Sequence, residues 1–302
     1  MQDRENIAIY TNSRGQEVIL EGGMSPWREV MGRSGFGLPT VKYAEANYAN
    51  GVNEMISVSM LPRDITMFYW MEGYSEAERR TEYRILKSRL FEVGKQNQWG
   101  KLKVKCSDGT WLYLNCVYSG GLDAEADIDA RFHNFTISFR ASDPLFYSDD
   151  EAEVNLTPAT EESLRMPFQM GNGVRFLGIR SAEYFHIMNL RSYIAYPEFE
   201  IIGPASGISF ENAATGKVIS FKSGFTLLSG EKLNIITRPL YMQVLRTAVN
   251  DEVIDETAQL SADATLRWEL QNGENRIKVQ LAGMTENTKC EMRYAEGYLS
   301  TW

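Results

Sequence analysis

Histidine, the side chain that most readily moves a proton near neutral pH and often binds metals, is rare in this sequence. Its two histidines, His133 and His186, each lie inside a strand-like pattern with no cysteine or histidine at metal-ligand spacing. A histidine in that setting is far more often a satisfied strand residue than a ligand or a general base. Nucleophile-elbow, zinc-protease and phosphate-loop motifs do not occur. The sequence therefore predicts no catalytic residue, no metal site and no cofactor.

The densest acidic run, DAEADID, places Asp123, Glu125, Asp127 and Asp129 on one side of an extended segment. A helix-flanked calcium loop needs glycine at its sixth position, and Ile128 stands there instead. The run therefore favours a solvated segment that protects a sheet edge, with a loose surface calcium site as the alternative.

Cysteines and late aromatic residues are the other candidates for chemistry. The three cysteines cannot all pair, and the spacing of Cys106 and Cys116 around a short turn argues against a bridge between them. We expect all three to be small buried residues. Trp268 shares a strand face with two leucines, which predicts a core position. Tyr298 and Trp302 are the candidates for contacting a partner or a glycan.

Length and charge limit the function classes. At 302 residues the chain has about twice the usual domain length, which favours two domains. The net charge of -9, without a cluster of lysine and arginine, argues against sequence-specific nucleic-acid binding. The start, MQDRENIAIY, is charged and no long apolar segment follows, so we expect synthesis in the cytoplasm and no membrane insertion.

The first half of the sequence predicts strands and a single helix. IAIYT and EVILE form a hairpin, ITMFYWM is apolar on both faces like a strand covered on both sides, and residues 22–51 are irregular, either an arm or a loop. In YSEAERRTEYRILKSRLFEVGK, Ser75 and Glu78 form a capping box and Gly94 marks the end of a helix. One face of this helix carries Tyr83, Leu86, Leu90 and Val93.

The second half predicts strands only, and a seam separates it from the first. Asp143-Pro144 ends a strand because proline lacks a ladder donor, and Phe146 and Tyr147 then fold back onto the first sandwich. The polar residues that follow predict an open linker. We therefore expect a first domain at 1–148, a linker at 149–165 and a second domain at 166–302, in which turns such as NGEN separate short strands.

Several segments occur in an order that resembles one protein family. These are the helix before Gly94, the hairpin around SDGT, FRASDPLFYS, YPEFEIIGPASGISFENAATGKVISF, LSGEKLNIIT and WELQNGENRIKV. Together they resemble the distal tail proteins of siphophages, which have long non-contractile tails, and of their prophage relatives. The sharpest elements are the turn Asn272–Asn275 and the seam motif of Ala141, Asp143, Pro144 and Phe146.

The resemblance implies a mainly β, two-domain chain with a structural role. The first domain would be a β-sandwich with one α-helix and an extended arm, and six copies would form a ring at the end of the tail tube. The second would be a galectin-like or carbohydrate-module-like antiparallel β-sandwich. Implied partners are other copies of the chain, the tail tube protein, a tail-associated lysin or tail-tip protein, and receptor-binding proteins, all at the virion tail tip.

Family membership would carry no catalytic residue onto this chain, in agreement with the search above, so we expect a protein that is not an enzyme. Two rival functions remain open. One is a carbohydrate-binding module for host-surface glycans. The other is a cell-wall glycoside hydrolase, which would need two separated carboxylates in a cleft.

Overall fold

The computed structural model describes residues 7–22, 27–47, 53–72, 75–91, 99–122, 132–158 and 182–301. The chain divides into two compact units, Met1–Asp150 with Tyr298–Trp302, and Glu151–Gly297. Each unit has its own core of buried apolar side chains. Tyr298 thus belongs to the first unit, whereas the sequence-based boundaries assign it to the second domain.

The first unit is built from strands β1 to β10 and helix α1. Their bounds are β1 Ala8–Thr11, β2 Glu17–Glu21, β3 Trp27–Ser34, β4 Val41–Asn47, β5 Asn53–Met60, β6 Arg63–Glu72, α1 Glu76–Leu90, β7 Gly100–Lys105, β8 Trp111–Gly121, β9 Phe132–Ala141 and β10 Phe146–Asn155. The last of these strands continues into the second unit.

Two antiparallel sheets form the first unit, and β8 belongs to both. Sheet A has the order β2–β1–β7–β8–β10, and sheet B has the order β3–β6–β9–β8. Residues 111–116 of β8 pair with β7 in sheet A, whereas residues 117–121 pair with β9 in sheet B. A strand that changes sheets turns a corner of the sandwich, so the two sheets enclose one core.

Strand β6 shows how the sequence pattern fills this core. Ile65, Met67 and Tyr69 are buried on its inner face, whereas Phe68 and Trp70 on its outer face are only half-buried. The expectation that both faces of this strand are covered is therefore wrong, because sheet B packs on sheet A through one face only. The outer face of β6 therefore carries two aromatic side chains, Phe68 and Trp70, that are only partly buried within the chain.

Helix α1 begins where the sequence predicts and ends earlier. The Ser75 hydroxyl accepts from the backbone N–H of Glu78, and the Glu78 carboxylate accepts from the backbone N–H of Ser75, which is the expected capping box. The helix ends at Leu90 rather than at Gly94, which lies outside the described residues. Leu86 and Leu90 are buried in the core, so the predicted apolar face is confirmed where it is described.

Strands β4 and β5 form a two-stranded antiparallel sheet that pairs with no other described strand. The sequence placed an irregular stretch at residues 22–51. In the structure, part of that stretch is β3, which pairs with β6 in sheet B, and part is β4. The exposed element is therefore the pair of strands β4 and β5, residues 41–47 and 53–60, which we call the hairpin below.

The second unit is an antiparallel β-sandwich. Its strands are β11 Ala182–Ala195, β12 Glu198–Ile202, β13 Ala205–Asn212, β14 Lys217–Ser220, β15 Thr226–Leu227, β16 Lys232–Ile236, β17 Gln243–Thr247, β18 Val253–Asp255, β19 Leu270–Ala282 and β20 Lys289–Tyr298. Sheet C has the order β11–β19–β13–β14, and sheet D the order β18–β17–β16–β12–β20. Phe199 of sheet D stacks on Phe210 of sheet C with ring centroids 4.3 Å apart, so the two sheets share the core.

The predicted turn Asn272–Asn275 lies inside strand β19 rather than between two strands. Gly273 has a φ of 97°, and the Asn275 side chain donates to the backbone carbonyls of Gln271 and Gly273, so a side chain replaces ladder bonds at an irregularity in the strand. The strand predicted for LRWEL is irregular up to residue 269, although Trp268 is fully buried as expected.

Residues 149–155 continue strand β10 instead of forming an open linker. Ala152 and Val154 pack against the second core, and Leu156 is fully buried in it. These three small or apolar residues alternate with polar ones, which is typical of a strand. The many acidic residues around them made the segment look like a linker by composition. The rest of the expected linker, from residue 159 on, lies outside the described residues.

Candidate functional site

The seam motif forms a tight turn at the end of β9. Asp143 accepts from the backbone N–H of Leu145 at 3.2 Å and from the Tyr147 hydroxyl at 2.5 Å, so its carboxylate fixes the turn. Phe146 is fully buried, as expected, and stacks on Phe36 with ring centroids 5.9 Å apart. Ala141 is fully buried at the end of the strand. The motif therefore holds the first unit together at this corner.

Arg63 completes the corner, and sequence reasoning missed it. Its side chain is 4% exposed and donates from Nε to the Pro144 carbonyl at 2.7 Å. Nη1 donates to the Gly35 and Gly37 carbonyls, both at 2.6 Å, and Nη2 donates to the Leu299 carbonyl at 2.7 Å. One guanidinium thus joins the start of β6, the segment before the hairpin, the seam turn and the last described residues.

Burial lowers the pKa of Arg63 to about 10, and the nearby Asp143 carboxylate opposes that shift. The guanidinium therefore remains charged at neutral pH. A buried charge needs its hydrogen-bond donors satisfied, and here four backbone carbonyls satisfy them. The arrangement is structural, because every acceptor is a peptide group.

The hairpin has one apolar face and one polar face. On the apolar face, Tyr43 is 54% exposed, Ile56 is 66% exposed and Val58 is 51% exposed. The ladder pairs Tyr43 with Val58 and places Ser57 opposite Ala44 on the other face. Two strands alone are marginally stable in water. An exposed hairpin with an apolar face therefore indicates a surface that a partner covers.

The groups that could do chemistry do not converge. His186 is an exposed residue whose Nδ1 lies 2.6 Å from the Glu274 carboxylate, and the register places His133 opposite Met71 in sheet B. The acidic run 123–129 lies outside the described residues. Within the described ranges, three or more metal-ligating side chains are nowhere grouped together.

The carboxyl of Glu29 in the first unit has a raised pKa. Burial raises the pKa of Glu29 to about 7, a value that suits a general base. Its Oε2 lies 2.9 Å from Nε of Arg33, and Arg33 also contacts Glu21. Glu29 therefore faces a guanidinium, and an arginine between two glutamates does not leave the water-filled gap between carboxylates that glycoside hydrolysis uses.

The late aromatics and the cysteines have mixed placements. Tyr298 is half-buried and packs against the first core, and Trp302 lies outside the described residues. Cys116 and Cys290 are buried and burial raises the pKa of each thiol, whereas Cys106 is half-buried. In the part of the chain that the structure describes, α1 is too short and too polar to span a bilayer.

The class that this architecture defines is a β protein of two sandwich units, the first with a helix and an exposed apolar hairpin.

No family model and no curated protein sequence matches the chain. Solved structures do match its fold. The chain aligns with the Dit protein of phage SPP1, described as a paradigm of the hub adsorption apparatus of phages that infect Gram-positive bacteria. The TM-score is 0.63 at 13% identity, over 97% of this chain and 98% of that chain.

The phage P2 baseplate in its activated conformation contains a chain with the same fold. The structure with calcium matches at a TM-score of 0.54 and 13% identity, covering 96% of this chain and 97% of that chain. The structure with strontium matches at 0.52 and 14% identity, covering 96% and 98%. The chain thus has the fold of a distal tail protein over nearly its whole length, which confirms the predicted resemblance at the level of fold.

Proposed function

We propose that this chain is a structural protein of a phage tail, in which six copies close into a ring between the tail tube and the tail-tip apparatus. The supporting observation is the fold match to SPP1 Dit across 97% of the chain and 98% of that protein, which includes both units. The first unit builds the ring, and the second, a galectin-like sandwich, projects to hold tail-tip components.

The exposed hairpin supports a ring. If the hairpin of one copy docks on a different surface of the next copy, the contact is head-to-tail. Repeated head-to-tail contacts form a closed ring when the rotation between neighbouring copies is a simple fraction of a full turn. The implied partners are the tail tube protein, a tail-associated lysin or tail-tip protein, and receptor-binding proteins, at the tip of the virion tail. The protein is made in the bacterial cytoplasm and has no catalytic role.

Mass in solution tests the ring. Light scattering over a range of concentrations should find a species of six times the 34.3 kDa chain mass, and negative-stain images should show rings with an open centre. Val58→Asp on the apolar face of the hairpin should abolish assembly, because it buries a charge in the contact. Ser57→Asp, next to it on the polar face, is the matched control and should assemble. A chain that stays monomeric at high concentration contradicts the ring.

Enzyme assays test the absence of catalysis. The purified chain should release no sugar from bacterial cell walls under conditions in which a wall hydrolase does. Release that a single carboxylate-to-amide substitution abolishes would contradict the structural role and favour a glycoside hydrolase.

A further inference from the structure

Residues 298–301 follow the second unit in the chain but belong to the first unit. We call them the return segment. All four are half-buried, and Tyr298 packs against the first core. Residues at the end of a domain are usually poorly ordered unless contacts hold them in place. The return segment is therefore an ordered part of the first unit, although the whole second unit separates it from the rest of that unit in sequence.

The return segment binds the residues that lie on both sides of the hairpin. Nη2 of Arg63 donates to the Leu299 carbonyl at 2.7 Å, and the backbone N–H of Thr301 donates to the Phe36 carbonyl at 3.2 Å. Phe36 precedes β4, and Arg63 begins β6 just after β5. The return segment is therefore hydrogen-bonded to both chain segments from which the hairpin extends.

Arg63 also joins these two segments to each other. Its Nη1 donates to the Gly35 and Gly37 carbonyls, both at 2.6 Å, and the Leu61 N–H donates to the Thr40 carbonyl at 2.8 Å. These bonds close the base of the hairpin. Because Arg63 is only 4% exposed, removal of one of its acceptors is costly. The bond to the return segment therefore helps to hold the guanidinium that closes the base.

The segment before the hairpin depends on such bonds because it is rich in glycine. Gly35 and Gly37 flank Phe36, and glycine loses more conformational freedom on folding than any other residue. The carbonyls of all three residues accept from Arg63 or from the return segment. Without the return segment, fewer bonds remain to offset the entropy cost of ordering these residues.

The order of synthesis makes the return segment the last part of the first unit to appear. Leu299 lies 236 positions after Arg63, and the whole second unit is made between them. A ribosome needs about 10 to 50 s for that distance at about 5 to 20 residues per second. Small domains fold at about 1 per second or faster. The first unit therefore has time to fold around its core before the return segment exists.

We propose that the return segment closes the base of the hairpin, so that a copy enters the ring only after its second unit has been made. The proposal rests on the ring under Proposed function and adds the order of events. Before residues 298–301 are made, the hairpin extends from a base that lacks two of its bonds. An element that becomes ordered only on binding binds more weakly than a pre-organised one. Copies without a second unit are thereby kept out of the ring.

Amide exchange in the monomer tests the base of the hairpin. Thr301→Pro removes the N–H that the Phe36 carbonyl accepts, whereas Thr301→Ala keeps it and is the matched control. Exchange of the Leu61 amide should be about three- to tenfold faster in Thr301→Pro, as expected for one lost hydrogen bond. It should keep the native rate in Thr301→Ala. A chain that ends at Gly297 should show a larger increase, because it also lacks the Leu299 carbonyl.

Amides in the centre of β9, such as that of Phe139, report on the first core and should exchange at the native rate in Thr301→Pro. Equal acceleration in β9 and at Leu61 would mean that the return segment adds only general stability, which overturns the proposal. A native exchange rate at Leu61 in both Thr301→Pro and the chain that ends at Gly297 also overturns it.

Assembly tests the effect on the ring. By light scattering, the native chain and Thr301→Ala should form a species of six times the 34.3 kDa chain mass. The chain that ends at Gly297 should stay monomeric at the same concentration. Replacement of residues 298–301 by a glycine-serine sequence of equal length should have the same effect, which excludes shortening as the cause. Thermal unfolding shows that both units of each variant remain folded.

The outcomes separate this inference from the ring itself. If the native chain forms rings and the chain that ends at Gly297 forms them equally well, the return segment does not control entry. The inference then fails while the ring stands. If the native chain never assembles, the ring fails and the inference fails with it.

Discussion

The guanidinium carbon of Arg63 lies 4.8 Å from the centroid of the Phe146 ring. The same guanidinium donates four hydrogen bonds to backbone carbonyls in three other segments of the first unit. An aromatic face attracts a cation, and the attraction grows when both are out of water. Arg63 and Phe146 together therefore join the base of the hairpin to the seam turn and to the last described residues.

Arg63→Lys should destabilise the first unit although it keeps the charge. The planar guanidinium of arginine has five N–H donors that point in several directions, and here it reaches four carbonyls. The ammonium of lysine has three donors on one nitrogen atom and cannot reach all four. We expect a loss of about 2 to 4 kcal/mol, since each buried carbonyl left unpaired costs about 1 to 3 kcal/mol. Urea unfolding measures the loss, and hydrogen exchange at Leu299 should rise.

The control for this change is Arg140→Lys. Arg140 pairs with Asp64 at 3.2 Å on the surface, where the two side chains are 55% and 61% exposed. Surface ion pairs contribute little, so this variant should unfold close to the native midpoint. Equal effects of the two substitutions would contradict the role given to Arg63.

Phe146→Ala should cost about 3 to 5 kcal/mol, the usual range for removing a buried aromatic ring. The ring is fully buried between Phe36 and Arg63. Its removal therefore leaves a cavity and takes away a packing contact from each of these two side chains. Phe91→Ala is the control, because Phe91 is 63% exposed and should lose far less. An unchanged melting temperature for Phe146→Ala would contradict its burial.

The sequence predicted the elements whose signals are local. Ser75 and Glu78 stand three residues apart and form the capping box as expected, and Trp268 follows the apolar alternation into the core. Phe146 is buried because Pro144 ends the strand and turns the chain back. In each case residues within a few positions of one another determine the structure.

The sequence failed where the determining contacts are distant. Arg63 has acceptors in segments up to 236 positions away, and all are backbone carbonyls, which leave no trace in side-chain patterns. The partner of β5 in the hairpin, β4, mixes Lys42, Ala44 and Glu45 with apolar residues, so its alternation is weak. Residues 149–155 look like a linker by composition, but Ala152 and Val154 alternate inward.

Gly35→Ala should be far more harmful than a comparable change elsewhere. Gly35 has a φ of 86°, and a Cβ there would lie 2.1 Å from the Asp64 carbonyl oxygen. Gly109 has nearly the same φ, 88°, but a Cβ there meets nothing within 4 Å. Gly109→Ala should therefore cost only the backbone strain of about 1 to 2 kcal/mol.

Gly35→Ala adds a steric clash to that strain and displaces the carbonyl that Arg63 binds. We expect it to lower the unfolding midpoint in urea several times more than Gly109→Ala. Similar midpoints for the two variants would mean that the backbone at Gly35 relaxes freely, which contradicts the close approach to β6.

Asn275→Asp tests the buried amide network inside strand β19. Asn275 is fully buried, its Nδ2 donates to the Gln271 carbonyl at 2.7 Å, and its Oδ1 accepts from the Gln271 N–H and from Asn212 Nδ2. An aspartate has the same shape but loses the donor. Burial without that donor should raise its folded-state pKa above the unfolded value of about 3.9.

The sign of the pH effect follows from that shift. The folded variant then holds a proton that the unfolded chain releases, so its stability should fall as pH rises from about 4 toward the raised pKa. Urea unfolding of Asn275→Asp at a series of pH values should show a decline relative to the native chain. Asn250→Asp lies at an exposed turn, where the native side chain accepts from the Glu252 N–H and its amide donates to the Glu252 carboxylate at 3.5 Å. Because water surrounds this site, the variant should follow the native profile closely. A flat difference between Asn275→Asp and the native chain across this range would show that water reaches residue 275.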